Sequence, residues 1–129
     1  MNDVIKIVAQ AVYGNRVETE IDKKDVDKFI LGYLDDSISV NEKIDRTIVN
    51  IPSEKNLVIV YNKYKEEKEL NRKEELFNED NYVLKPLAVI AEENIEIYSR
   101  CIACRIDENG ELESLQNGDY EKLLNYLAE

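Results

Sequence analysis

Asn94-Ile95-Glu96-Ile97-Tyr98-Ser99-Arg100-Cys101-Ile102-Ala103-Cys104-Arg105-Ile106, then Asp107-Glu108-Asn109-Gly110, then Glu111-Leu112-Glu113-Ser114-Leu115-Gln116, is the stretch whose reading decides the fold. Asn-Gly between two β-prone runs is the strongest short-range hairpin signal, because a type I′ turn needs positive φ at both central residues. A two-residue turn sets Glu108 opposite Glu111, Ile106 opposite Glu113 and Cys104 opposite Leu115. The chain is therefore expected to be built from antiparallel strands.

Upstream, Leu57-Val58-Ile59-Val60-Tyr61 is the most strand-like run, dominated by branched and aromatic side chains, and is expected to be central. A further strand is expected over Arg46–Ile51, stopped at Pro52, whose missing N–H ends ladder pairing. Phe29-Ile30-Leu31-Gly32-Tyr33-Leu34 reads as a short strand buried on both faces, continued by alternation at Ile38 and Val40. Between Val4 and Tyr13 a helical face and a strand alternation compete; the strand is preferred, turning at Gly14-Asn15 into Arg16–Ile21. Tyr82–Leu84 and Leu87–Ile90 read as a strand interrupted at Pro86.

Lys65–Asp80 crowds charges around only Leu70, Leu76 and Phe77, which suits a solvated surface excursion, either an exposed hairpin or a short helix. Tyr120, Leu123, Leu124 and Leu127 follow i, i+3, i+4, i+7 spacing on a C-terminal helix within 117–129 that Asp119 is placed to cap. So short a helix must bury its stripe on its own sheet or on a partner, which makes these four residues the candidate protein-interaction set. The expected fold is mainly β: residues 1–129 as a single β-sandwich or barrel of about seven or eight strands, closed by this helix.

The formal net charge of −11 disfavours binding to phosphate backbones and anionic membranes and permits attraction to a basic protein partner, while solubility alone explains it equally well. The amino-terminal residues lack a basic, then apolar, secretory pattern, so a cytosolic protein is expected. Two cysteines cannot form a disulfide framework, and the absence of histidine removes the commonest general base and metal ligand. Cys101 and Cys104, three apart in a strand, point to opposite faces and read as buried structural thiols; zinc would need further ligands. Asp107-x-Asn109-x-Glu111 has part of a calcium-loop spacing but is already explained as a turn. Glu66-Glu67, Glu74-Glu75 and Glu92-Glu93 lack an apolar setting that would separate an acid from a base, and read as solvated surface. Eight tyrosines against no tryptophan supply most of the aromatic area, for core and boundary packing. No nucleophile with its base and no phosphate-binding loop can be assembled, so neither an enzyme, a cofactor nor a small-molecule substrate is expected.

Ile5–Val17, Ile30-Leu31-Gly32, Leu57–Tyr64 and Ile97–Gly110, in this order, resemble the outer spore-coat morphogenetic protein E family. That family shows a strand and turn, an Ile-Leu-Gly segment, an aromatic strand and a late strand ending in Asn-Gly in the same sequence. This chain has no tryptophan in the aromatic strand and Asn15-Arg16 at the turn, and it ends at Glu129 without the family's long acidic tail. The resemblance implies a non-enzymatic, self-associating scaffold, made in the mother-cell cytoplasm, that organises proteins on a developing endospore. The alternative of another class is a small acidic inhibitor or immunity-type protein, such as a phage would carry, whose carboxylates occupy a basic site on an enzyme. Both are protein-binding functions without nucleic acid or membrane as partner.

Overall fold

The computed structural model describes residues 3–10, 16–34 and 46–128. The turn expected at Gly14-Asn15 and the continuation through Ile38 and Val40 lie outside them. In chain order the elements are β1 (Val4–Gln10), β2 (Arg16–Asp22), α1 (Val26–Leu34), β3 (Arg46–Asn50), β4 (Leu57–Asn62), α2 (Lys63–Asp80), β5 (Ala88–Ile90), β6 (Ile95–Ile97), β7 (Cys101–Ile106), β8 (Leu112–Glu113) and α3 (Asp119–Leu123). The fold is mainly β. Six antiparallel strands form the main sheet in the order β2-β1-β7-β4-β3, with β8 added on β7, and β5 and β6 form a second, two-stranded sheet.

The expected β1–β2 pairing is present, and the strand expected over Arg46–Ile51 is found as β3, paired with β4. β4 is an interior strand, between β3 and β7. The register assigns the two faces. Val8, Gln10, Ile59, Tyr61, Cys101 and Ala103 share one face, and Ile5, Ile7, Val58, Val60, Ile102 and Cys104 share the other. On the first face lie β5, β6 and α3, contributing Ala88, Ile90, Ile97, Leu123 and Leu127. The tail beyond α3 adds to this layer: Ala88 bridges Leu127, Val89 N–H donates to the Tyr126 carbonyl and Ala128 N–H to the Leu87 carbonyl. Gln10, fully buried, ties the layers by donating from Nε2 to the carbonyls of Leu87 (3.4 Å) and Ala128 (3.2 Å).

The second face is covered by α1, a correction to the strand expected at Phe29–Leu34. A short apolar run fits a buried strand and a buried helix equally. What selects the helix is the buried stripe Val26, Ile30, Leu34, at i, i+4, i+8, which begins among charged residues and packs on Ile5, Ile7, Val58 and Ile102.

One open alternative is decided and two further expectations are corrected. Lys63–Asp80 is one long helix, α2, capped by Asn62, whose Oδ1 accepts the Lys65 N–H at 3.1 Å. Of the segment around Pro86 only Ala88–Ile90 is strand. The closing hairpin is not a two-residue turn: Arg105 pairs with Glu113 and Ile106 with Leu112, one residue out of the expected register. Asn109 is not at positive φ; only Gly110 is (φ +81). Gly110 N–H donates to the Asp107 carbonyl and Asp107 N–H to that of Glu111, which makes a three-residue loop of a type I turn followed by a left-handed glycine. Asp107 Oδ1 selects it by accepting the N–H groups of Asn109 (2.8 Å) and Glu111 (2.9 Å).

Candidate functional site

The stripe read as an interaction set is largely consumed inside the molecule. Leu123 (0% exposed) and Leu127 (4%) lie in the core, so they cannot contact a partner; Tyr120 and Leu124 are half-buried. Asp119 does not cap α3 with its side chain, since the residue before it, Gly118, takes the cap position at φ +89. Its buried carboxylate turns back instead and accepts Arg105 Nε at 2.6 Å, Arg105 Nη2 at 2.9 Å and the Gln116 N–H at 2.7 Å. Burial pushes the Asp119 carboxyl up, but the hydrogen bonds from Arg105 and Gln116 and the Arg105 charge outweigh it and hold the group below its ordinary value.

Cys101 and Cys104 point to opposite faces of β7 and are both buried. Burial raises both thiols to about 12, with the Glu66 charge adding to the effect on Cys101. Neither is poised as a nucleophile. The Asp107 carboxylate is occupied by the turn. Among the described residues no group of three or more His, Cys, Asp or Glu side chains is arranged to hold a metal ion, and no helix is long and apolar enough to cross a membrane. A depression of about 180 Å³ opens beside Tyr120 and the Gln116–Gly118 backbone, where Lys6 and Glu18 already pair with each other at 3.4 Å.

Glu66 differs most from its reading as solvated surface. It is 6% exposed, and its Oε1 accepts the Tyr98 N–H at 2.7 Å while Oε2 accepts the N–H groups of Tyr98 and Ser99, both at 3.0 Å. Tyr98–Arg100 is where the chain leaves the small sheet, after Ile97 pairs with Ala88, and enters the main one, where Cys101 pairs with Gln10. Backbone donors that lose their ladder at this crossing are taken up by one carboxylate. Burial raises the nearby Tyr61 hydroxyl, and the Glu66 charge adds to it. A run of glutamates gives no apolar period that marks one of them as buried, so only its position four residues after the cap sets Glu66 apart.

Two edges of the main sheet carry no further strand among the described residues. Among the described residues, β2 pairs only with β1 and β3 only with β4. Comparison with family models, curated proteins and solved structures finds no match in any of the three. The geometry of the edges therefore carries the functional reading. Ile51 N–H donates to the Leu57 carbonyl at 2.8 Å, so alternate residues Val49 and Thr47 also face β4, and the backbone groups of Ile48 and Asn50 face away from it. The Ile48 side chain is 46% exposed beyond the cover of α1.

The two edges differ in what they permit. A two-fold antiparallel pairing of β3 centred on Ile48 sets Ile48 against Ile48, Thr47 against Val49 and Arg46 against Asn50, with no like charges opposed. The same operation on β2, centred on Thr19, sets Glu18 against Glu20 in both halves. Carboxylates facing each other at that spacing repel.

Proposed function

We propose that this protein is a non-enzymatic assembly protein that joins copies of itself edge to edge through β3. The observation that carries the reading is the self-complementary Arg46-Thr47-Ile48-Val49-Asn50 edge, set against an opposite edge whose glutamates oppose pairing. An edge strand offers unpaired N–H and C=O groups that add a neighbour's strand, and a two-fold contact of this kind closes as a dimer with one continuous sheet. The acidic surface keeps other faces of the copies apart, and of the two edges of the main sheet among the described residues β3 is the one without acidic side chains.

In its finer form the proposal places this assembly in the coat of a developing endospore. Its support is the order of the four quoted segments, three of which contribute β1, β4 and β7, side by side in the sheet. Co-purification with coat proteins from sporulating cells tests that form.

Sedimentation equilibrium tests the reading itself. The native protein is expected to dimerise with concentration, and Ile48→Lys, which opposes two lysines at the two-fold axis, to remain monomeric. Ile48→Pro removes one outward N–H without removing a bond to β4 and is expected to weaken association by roughly tenfold. Val17→Lys, on the other edge, is expected to change nothing. A native protein that stays monomeric at high concentration, or a dimer indifferent to Ile48→Lys, overturns the proposal.

A further inference from the structure

The far end of α2 carries a second surface that the β3 edge does not explain. An α-helix of 18 residues is about 27 Å long, yet its contacts with the body are concentrated in the first three turns. Asn62 caps it, Glu66 clamps the Tyr98–Ser99 backbone, and the Lys73 ammonium sits 4.7 Å from the centre of the Tyr98 ring. Beyond Lys73 only Leu76 is half-buried within the helix. Phe77 (53% exposed), Tyr82 (56%) and Val83 (60%) stand in water, with Leu70 (42%) one heptad before Phe77 on the same side.

This end is built rather than frayed. Asn81 adopts the left-handed conformation at φ +57, its N–H donates to the Phe77 carbonyl, and the Tyr82 N–H reaches back to that of Leu76. That double closure fixes Tyr82 against the last turn. Phe77 and Tyr82 are thus carried on an ordered backbone, grouped with Val83, where an isolated exposed residue would need no explanation.

The charges around the patch define what can cover it. Residues 73–85 hold Glu74, Glu75, Glu79 and Asp80 against two basic side chains, Lys73 and Lys85 at the two ends, so the fringe is acidic on balance. At 100° per residue, Glu67 and Glu74 flank the Leu70–Phe77 row on the side away from Glu66 and Lys73. In an antiparallel two-fold pairing of α2 with a second copy, that flank meets its own counterpart, and glutamates face glutamates. A second copy is therefore a poor occupant.

We infer that the α2 end is a docking surface for a positively charged amphipathic segment of another protein, whose apolar side chains cover Phe77, Tyr82 and Val83 while its lysines or arginines meet the surrounding carboxylates. Apolar contact supplies the affinity, and the acidic fringe selects the partner by sign and speeds encounter. The surface is separate from the β3 edge, so one copy can hold such a segment while paired through its sheet.

A fluorescent Leu/Lys amphipathic peptide about fourteen residues long, with a Leu/Glu peptide of the same pattern as control, provides the probe in anisotropy titrations at about 150 mM salt. The native protein is expected to bind the Leu/Lys peptide and not the Leu/Glu peptide, and Phe77→Ser with Val83→Ser to weaken binding roughly tenfold or more. Both positions are exposed, so unchanged thermal melting verifies that the variant folds. Glu18→Gln with Glu20→Gln, which removes two charges from the distant β2 edge, is expected to leave most of the affinity in place. Ile48→Lys is expected to bind the peptide normally, which keeps this test distinct from that of edge pairing. The inference is overturned by equal affinity of native and serine variants, by equal binding of the Leu/Glu peptide, by absence of Leu/Lys binding, or by loss of self-association on Phe77→Ser, which makes a second copy the occupant.

Discussion

Glu66 and Asp119 are both buried, at 6% and 1% exposure, and each fastens a helix to the body, but by different physical routes. Glu66 holds α2 through three hydrogen bonds from two backbone N–H groups at the crossing between sheets. Asp119 holds α3 to β7 through a two-pronged ion pair with Arg105, supplemented by the Gln116 N–H. A charge neutralised by peptide groups has no side-chain partner that can be altered with it. A charge neutralised by a guanidinium has one, and the pair can be exchanged as a unit. The comparison separates an anchor written into the backbone from an anchor written into two side chains.

Glu66→Ala breaks the first anchor and should have the largest effect. It leaves the Tyr98 and Ser99 N–H groups buried without acceptors, at a cost of about 2–5 kcal/mol, read as a lowered denaturant midpoint. Hydrogen exchange at Tyr98 and Ser99 should rise with it; if those amides stay as protected as in the native protein, Glu66 is not their anchor. Glu66→Gln keeps one accepting oxygen but presents an amide to the Tyr98 N–H, and should fall between native and alanine.

Asp119→Ala strands the Arg105 guanidinium in a largely buried position and should cost about 3 kcal/mol. The same contact gives a pH dependence whose sign is fixed. The Asp119 carboxyl is held below its ordinary value in the folded protein, so its contribution is complete above the unfolded carboxylate value, near pH 4. It is lost as pH falls through the lower folded value. The difference in stability between the native protein and Asp119→Asn should accordingly shrink below about pH 4; a difference that stays constant down to acid unfolding would refute the ion pair's role.

Asn62→Ala should cost about 1 kcal/mol, the usual loss for a helix cap, with the effect confined to α2 by circular dichroism and exchange. The smallest net change is expected from Arg105→Met combined with Asp119→Leu, below about 1 kcal/mol, the share of the lost Gln116 N–H acceptor, against about 3 kcal/mol for either partner alone. A double-mutant cycle measures the difference, and additive losses would show that the two side chains act independently.

Strands were legible in the sequence where alternation or branched side chains met a turn residue. β1 follows from the alternation within Val4–Tyr13, and β3 and β4 from Pro52 and the Leu57–Tyr61 run; the single run read over Asn94–Ile106 is instead divided into Ile95–Ile97 and Cys101–Ile106, strands of different sheets. The opposite facing of Cys101 and Cys104 follows from the strand period alone. Phe29–Leu34 was not legible because its neighbours in the run are apolar on all sides, and the deciding residue, Val26, lies outside it. The hairpin register was missed by one residue because Asp107 bonds two N–H groups of its own loop, a local choice that outweighs the Asn-Gly preference. Of the interaction set, the helical spacing of Leu123 and Leu127 was readable, but not whether the stripe closes on the chain itself. Whether a strand sits at the rim of a sheet, as β3 does, depends on topology, and Arg46–Asn50 contains no sign of it.

The strand order β2-β1-β7-β4-β3 has a bearing on how the molecule comes together in time. β1–β2 and β3–β4 each join neighbours in the chain, yet among the described residues the two pairs are linked in the sheet by a strand that begins at Cys101. Until that strand arrives, β1 and β4 each present a bare, strongly apolar margin, so synthesis passes through a stage with sticky seams on both halves. A polypeptide cut short before Cys101 should aggregate where the whole one does not, and a chaperone that shields nascent strands should act in that interval.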